Sequence, residues 1–490
     1  MEMSLQFLGA TQEVTGSCHL LTVDGQQLLL DCGLIQGGKA DELRNHDPFD
    51  FKPSQIDAVI LSHAHIDHSG RLPLLVKQGF NGPIYTHKAT AELCGIMLRD
   101  AAMLQERDAQ RKSKKLKKLN LDPVDALFDE DDVEAVLKLF VPLEYGAQTK
   151  LMPHVSVRLS DAGHILGSAI VELWLAEGSE AKKIVFSGDL GRADMPILDD
   201  PCLIDSADLV LMESTYGNRL HRSWEETLTE LKAIFASTIK QSRGNILLPA
   251  FSVGRAQELL YLFHLYAKEW DLSRWRICLD SPMAIKATQV YVNNYPLMDE
   301  DFKRFTRLSP GKHPLLSNAE FTSSTEESIE LNDIHEGLII IAGSGMCNGG
   351  RIRNHLAHNL WRSAADVIIC GYQALGTPGR LLVDGATELT IHGQKVKVAA
   401  RLHTIGGLSA HADQAELLRW YRHFENSPPV VLVHGEKEAQ AVLMEALSEN
   451  LDTSPQAAAI AEHRDCLDLS KLPKLVWIHA ECVQWGRRLR

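Results

Sequence analysis

The sequence predicts an α/β protein in which two architectures follow one another, and three observations carry that expectation. Up to about residue 203, short apolar runs alternate with turn residues, the pattern of a β-rich unit. From about 204 to 390, wholly apolar runs alternate with helix-length segments, which argues for a mainly parallel sheet covered by helices. From 391 to 490 short strands and helices resume. The 490 residues are 45% hydrophobic and 23% charged, which excludes a disordered chain and leaves material for more than one core. Fifty basic against 64 acidic residues give a net charge of −14, which argues against a global electrostatic grip on nucleic acid but leaves a local basic groove open. No stretch reaches the roughly 18 consecutive apolar residues of a membrane span.

The elements follow in order. MEMSLQFLGA lacks the layout of a secretory signal and reads into a strand. CHLLTV and QQLLLDCG flank Asp24-Gly25, a hairpin turn because both positions tolerate positive φ. The strand-like run 56–61 ends abruptly in SHAHIDHSG, and from Lys88 the pattern turns helical, with good helix formers through Ala91–Gln110. The basic run from Arg107 to Lys118 comes next, then an acidic segment from Asp122 to Glu134. Strand-like runs return at 155–159, 169–175 and 183–187. DLVLME, NILLPA, RICLDS, LIIIAG and DVIICG then read as buried strands, with helices across 223–240, 254–269 and 350–360. VVLVHG is a late strand, and His411 opens a helix with Asp413 as its cap and Glu416 three residues on. Nine scattered cysteines without a CxxC pair predict free thiols and a reducing, cytoplasmic setting.

The chemistry concentrates in His63-Ala64-His65-Ile66-Asp67-His68, directly after an apolar strand. Imidazole and carboxylate are good zinc donors, and four of them in six residues cannot all serve one tetrahedral ion. Alternate residues can reach one metal while their neighbours reach a second. This HxHxDH run resembles the signature of the metallo-β-lactamase superfamily. His164 in DAGHILGS, Asp189 in FSGDLGR and Asp31 in LLLDCG stand where that family places its other site motifs. Glu213 in LMESTYGNR, His411 in LSAHAD and His434 in VVLVHGE resemble motifs A, B and C of the β-CASP nucleases. PAFSVGRAQELL, DSPMA and AGSGMCNGGRIRNHL add to the likeness, which spans essentially the whole chain and is strongest to the relatives of the mRNA 3′-end cleavage factor.

The resemblance implies a metallo-β-lactamase αββα sandwich built from 1–203 and 391–490, with an inserted α/β β-CASP domain at 204–390. It implies two zinc ions, with manganese as the alternative. His63, His65 and His164 would hold the first, Asp67, His68 and His434 the second, and Asp189 would bridge them, while Asp31 would support the site. Asp67, Glu213 and His411 would be catalytic, His411 as proton donor to the leaving oxygen with Glu213 orienting its ring. The implied activity is a ribonuclease of RNA processing or decay, endonucleolytic, 5′→3′ exonucleolytic or both, leaving a 5′-phosphate.

The strand-to-helix turn from Gly343 through Ser344, Gly345, Gly349 and Gly350 resembles a phosphate cradle, with Arg351 and Arg353 beyond it and Ser252 and Arg255 at a comparable turn. These are the candidates for phosphate or RNA contact. Seven cations between Arg107 and Lys118 form a solvated face or an RNA-backbone contact, unless the acidic segment neutralises them. The expected partner is single-stranded RNA, with no membrane association and with homo-oligomer formation open. DNA-directed cleavage, a catalytically weak RNA-binding scaffold and a small-molecule metallohydrolase are the rivals. The complete ligand set argues against the scaffold and the inserted domain against the small-molecule enzyme.

Overall fold

The computed structural model describes residues 2–176, 181–241, 244–308, 313–450 and 458–478. Asp24 and Gly25 take φ of 49° and 83°, so Cys18–Val23 and Gln26–Leu30 pair as a tight antiparallel hairpin. Met3–Gly9 lies antiparallel on one side of it; on the other, Ala58–Ile60, Ile84–His87 and Phe140–Leu143 follow in parallel. Cys466–Asp468 and Trp477–Ile478 add to the outer edge of Met3–Gly9, so late residues complete an eight-stranded sheet begun by the first strand. A seven-stranded sheet packs against it. Its strands Thr149–Met152, Val155–Asp161, Ala169–Leu175 and Lys182–Phe186 are antiparallel neighbours, while Leu209–Met212, Val430–Leu432 and Ala458–Ile460 continue in parallel.

Strand alternation explains how this sandwich is filled. Leu28 and Leu30 point into the space between the sheets with Phe7, Ile60, Val171, Leu173, Phe186 and Leu211, while Leu29 points outward with Leu72, Leu93 and Leu98 of the covering helices. On the far side, Val185, Val210 and Leu432 meet Leu417, Trp420, Tyr421 and Leu443. The layers are therefore helix, sheet, sheet, helix.

The inserted sheet has six strands in the order Glu320–Phe321, Arg276–Leu279, Leu338–Ala342, Ile246–Pro249, Asp366–Ile369, Arg401–Thr404, and every described pairing is parallel. Both faces are covered, Leu248 and Ile341 on one, Leu247 and Ile340 on the other. Leu209–Met212 belongs to the seven-stranded sheet, and Arg401–Thr404 forms the edge of the six-stranded one. A parallel strand buried on both faces reads the same in either sheet.

Two local expectations also change. The helix expected from Lys88 through Gln110 starts there but runs on to Lys117 and takes in the basic run, because Lys and Arg are good helix formers. His411 stands ahead of its helix, which starts at Gln414. Asp413 and Glu416 form the reciprocal cap, each side chain accepting from the other's backbone N–H at 3.0 and 2.9 Å. Eight of the cysteines are free thiols and Cys482 lies outside the described residues. Among the described residues no helix is long and apolar enough to cross a membrane.

Candidate metal centre

The site lies at the carboxyl ends of parallel strands. Asp31 follows Gln26–Leu30, and His63 follows its neighbour Ala58–Ile60. Asp189, Glu213 and His434 follow Lys182–Phe186, Leu209–Met212 and Val430–Leu432, three adjacent parallel strands. Parallel neighbours end at the same level, so residues more than 200 positions apart arrive side by side. His65 caps the short helix Ile66–Ser69, which carries Asp67 and His68. This loop is held by close backbone approach: a Cβ on Gly33 would lie 1.6 Å from the Asp67 carbonyl oxygen, so only glycine fits there. Asp31 and His434 take φ of 60° and 52°, a strained setting for non-glycine residues that clusters at functional sites.

The candidate ligands fall into two groups that meet at Asp189. In the first, His65 Nδ1 lies 3.1 Å from His63 Nε2 and 3.2 Å from His164 Nε2, and Asp189 Oδ2 lies 3.4 and 3.5 Å from those two Nε2 atoms. Tetrahedral coordination at 2.0–2.1 Å has ligand-to-ligand edges of about 3.3–3.4 Å, so this set fits one zinc-sized ion. In the second, His68 Nε2 is 3.1 Å from His434 Nε2, His434 Nε2 is 3.6 Å from Asp67 Oδ2, and Asp189 Oδ1 is 3.2 Å from His68 Nε2. Each Asp189 oxygen thus faces a different group. Asp189 Oδ1 is buried without a hydrogen bond, and bare imidazole nitrogens crowd together, an arrangement that a cation satisfies.

Outer partners fix the rings. His68 Nδ1 donates to Asp31 Oδ2 at 2.6 Å, and Asp31 is itself held by the Ser62 backbone N–H at 2.8 Å and the Ser17 hydroxyl at 3.1 Å. His63, His164 and His434 Nδ1 meet Ser62 Oγ, the Ala410 carbonyl and Thr215 Oγ1 at 3.1, 3.3 and 3.1 Å. Burial above all lowers the pKa of His63, takes His65 to about 3 and holds His164 well below its ordinary value, so these imidazoles are neutral, as ligation requires. His68 is the exception: burial disfavours its charge, but Asp189 and Asp31 outweigh burial and raise it well above its ordinary value. Replacing Asp31 by asparagine should cost roughly 10–100-fold in metal affinity, measured by competition with a chelator, because His68 loses the partner that orients it.

A third group sits alongside. Glu213, fully buried, accepts the backbone N–H of Leu190 at 2.8 Å and of Thr215 at 3.2 Å, and its Oε1 is 3.3 Å from His411 Nδ1. Burial opposes the charged ring of His411, yet Glu213, Asp189 and Asp67 outweigh it and raise its pKa to about 9 in the metal-free protein. The ring lies 4.5 Å from that of His164 and 6.0 Å from that of Tyr216.

The expected phosphate contacts divide. Ser252, Ser344 and Gly345 gather at the carboxyl ends of the inserted parallel sheet, where Ser252 Oγ lies 3.3 Å from Ser281 Oγ. Ser344 Oγ is engaged within its own turn, donating to Asn348 Oδ1 at 2.6 Å, and Gly345 leaves room for the ring of Phe251. The two arginines are a correction. Arg255 is buried in an ion pair with Glu258, and Arg351 turns inward, donating to Asp280 at 2.6 Å and to the Thr322 and Ser323 carbonyls at 2.9 and 2.8 Å. Each guanidinium is paired with a buried carboxylate, Arg255 buried itself and Arg351 partly exposed. Asp280 also accepts from Thr322, Ser328 and His355, each at 2.6 Å, so Arg351→Gln should destabilise the inserted domain by about 3–5 kcal/mol in urea unfolding. Sequence reading passed over Phe251, whose ring lies 6.5 Å from that of His65, and Tyr372, whose hydroxyl donates to Glu436 at 2.6 Å across the two domains. Both follow strands of the inserted sheet at its carboxyl edge, a position that marks ligand sites in such sheets.

An αββα sandwich with a His/Asp cluster of this kind at its strand ends defines a metal-binding hydrolase. Family profiles described as metallo-beta-lactamase superfamily, Beta-Casp domain and Zn-dependent metallo-hydrolase RNA specificity domain match residues 11–164, 256–382 and 395–457. "Ribonuclease TTHA0252" of Thermus thermophilus is 41% identical over 90% of this chain and 95% of its own length. "Transcription termination factor FttA" of Pyrococcus abyssi is 31% identical over 92% of this chain and 69% of its own, and that of Methanocaldococcus jannaschii 29% over 88% and 67%. A crystal structure of a protein of unknown function from Enterococcus faecalis V583 shares the fold at a TM-score of 0.50 and 15% identity, covering 96% of this chain and 100% of that one. The chain belongs to the β-CASP branch of the metallo-β-lactamase superfamily.

Proposed function

We propose that this protein is a metal-dependent ribonuclease that binds two zinc ions and hydrolyses phosphodiester bonds in single-stranded RNA. The observation that carries the reading is the meeting of two ligand groups at Asp189 with the His411–Glu213 pair beside them. Its kinship with a protein named ribonuclease and with proteins named transcription termination factors supports RNA as the substrate. His63, His65 and His164 would hold one ion and Asp67, His68 and His434 the other, with Asp189 shared. When bound, such a pair supplies Lewis acidity to a phosphodiester and lowers the pKa of water.

The chain's own residues supply the rest. Glu213, fixed by two backbone N–H groups, takes His411 Nδ1 and leaves Nε2 for the substrate. Water attacks phosphorus and releases one proton to solvent, the bond from phosphorus to the 3′ oxygen breaks, and His411 gives its proton to that oxygen, leaving a 3′-hydroxyl and a 5′-phosphate. Asp67 serves as a ligand, with His434 Nε2 3.6 Å from its Oδ2.

The test is one RNA carrying a 5′-triphosphate, 5′-monophosphate or 5′-hydroxyl, and a matched single-stranded DNA, each incubated with the zinc-loaded protein. Mononucleotides released preferentially from the monophosphate end would establish 5′→3′ exonuclease action. Internal fragments indifferent to the 5′ end would establish endonuclease action. Cleavage of DNA alone, or of neither, would overturn the reading.

A further inference from the structure

The helix Lys88–Lys117 reaches further than the sandwich needs. At its start Thr90 donates to the Gly167 carbonyl at 2.6 Å, three residues past His164. It then runs antiparallel along Pro282–Asn293 of the inserted domain: Glu92 accepts from Asn294 at 2.8 Å, and Asp100 feels the charge of Lys286. Beyond that contact the helix continues to Lys117 and carries the basic run, which begins about 25 Å along it from Thr90 at 1.5 Å per residue.

The acidic segment leaves this charge largely uncancelled. Asp132 pairs with Lys77 and Glu134 with Arg99, both cations lying before the basic run. Among the described residues Arg107, Lys112, Lys114, Lys115, Lys117, Lys118 and Arg353 have no ion pair, and Arg111 has only a solvent-exposed contact with Asp108 at 3.7 Å. Val124 is tied to Ser113, so Asp122 and Asp125 join Glu106 and Asp108 of the helix as the nearby acids against seven cations. Arg107, Arg111, Lys114 and Lys118 recur at helical spacing, so they share one face of the helix.

We propose that this basic stripe is a track for the phosphodiester backbone of single-stranded RNA outside the metal centre. It rests on the ribonuclease reading and adds to it a second, sequence-independent contact on a surface whose overall charge repels nucleic acid. A substrate long enough to span both sites gains affinity from the track. One confined to the cleft does not.

The experiment compares the full-length, zinc-loaded protein with its Arg107→Gln, Arg111→Gln, Lys114→Gln, Lys118→Gln variant, on a tetranucleotide and a 24-nucleotide RNA. A control variant, Lys232→Gln with Arg274→Gln, neutralises two exposed cations elsewhere. The stripe variant should raise KM for the long RNA by about tenfold or more and reduce the slope of log K against log salt by about 2–3, at roughly 0.7 per lost phosphate contact. Its kcat at saturation and its KM for the tetranucleotide should match wild type. Unchanged long-RNA binding with wild-type cleavage would overturn the track and leave the stripe to an acidic protein partner. Equal loss on both RNAs would also overturn it. If the wild-type protein cleaves no RNA, it is the ribonuclease reading that fails, and the long-RNA salt slope of the two proteins still tests the track.

Discussion

Replacing Asp189 by asparagine is expected to give the largest loss of any single substitution, about 10³-fold or more in kcat/KM, together with a fall in bound metal. The side chain keeps its shape, so the effect isolates charge. Asp189 Oδ2 lies 3.4 and 3.5 Å from His63 and His164, while Oδ1 lies 3.2 and 3.5 Å from His68 and His434. Burial disfavours its charge, but His434, His68 and His63 outweigh burial and hold its carboxyl well below the usual range. An amide offers one weak acceptor where two charged oxygens face two ligand groups. Metal analysis beside steady-state kinetics checks this. Two retained ions at a wild-type rate would remove Asp189 from the bridging position.

His411→Ala should lower kcat by about 10²–10⁴-fold with less effect on metal content than Asp189→Asn, because the ring lies outside the two His/Asp groups and shares a third candidate group only with Asp189 and Glu213. The pH profile separates a proton donor from a structural ring. His411 has a pKa raised to about 9 in the metal-free protein, so it keeps its proton through neutral pH and loses it as pH rises through that value. Activity that depends on its protonated form therefore falls on the alkaline side, and bound cations, which oppose the rise, set that limb at or below this pH. Glu213→Gln removes the neighbour that does most to raise the pKa, so it should shift the limb to lower pH with a smaller loss at its optimum. A limb that stays in place in Glu213→Gln would assign it to another group.

Much of the site was legible because its chemistry is local. HAHIDH places four donors in six residues after a strand, and no common structural demand selects that composition. The hairpin at Asp24-Gly25 and the Asp413–Glu416 cap were legible for the same reason, since each depends on residues within a few positions of one another. Arg351 was misread because a glycine-rich turn followed by arginine has the same local form whether the guanidinium faces a ligand or a buried carboxylate. Asp280, 71 residues earlier, decides between them. The basic run looked neutralisable because an acidic segment follows it in sequence, but folding carries Asp132 and Glu134 back to Lys77 and Arg99.

By itself the sequence determined the element types, the alternation that marks a parallel sheet and the identity of the candidate ligands, all properties of spacing and side-chain chemistry. Tertiary structure alone decided which strands are neighbours. Leu209–Met212 lies between Lys182–Phe186 and Val430–Leu432, although more than 200 residues and a whole inserted domain separate it from the latter. The physical reason is that hydrogen-bonded parallel strands end together. Strand order, which local pattern does not encode, is what brings Asp189, Glu213 and His434 to one point and gives two groups of ligands a carboxylate in common.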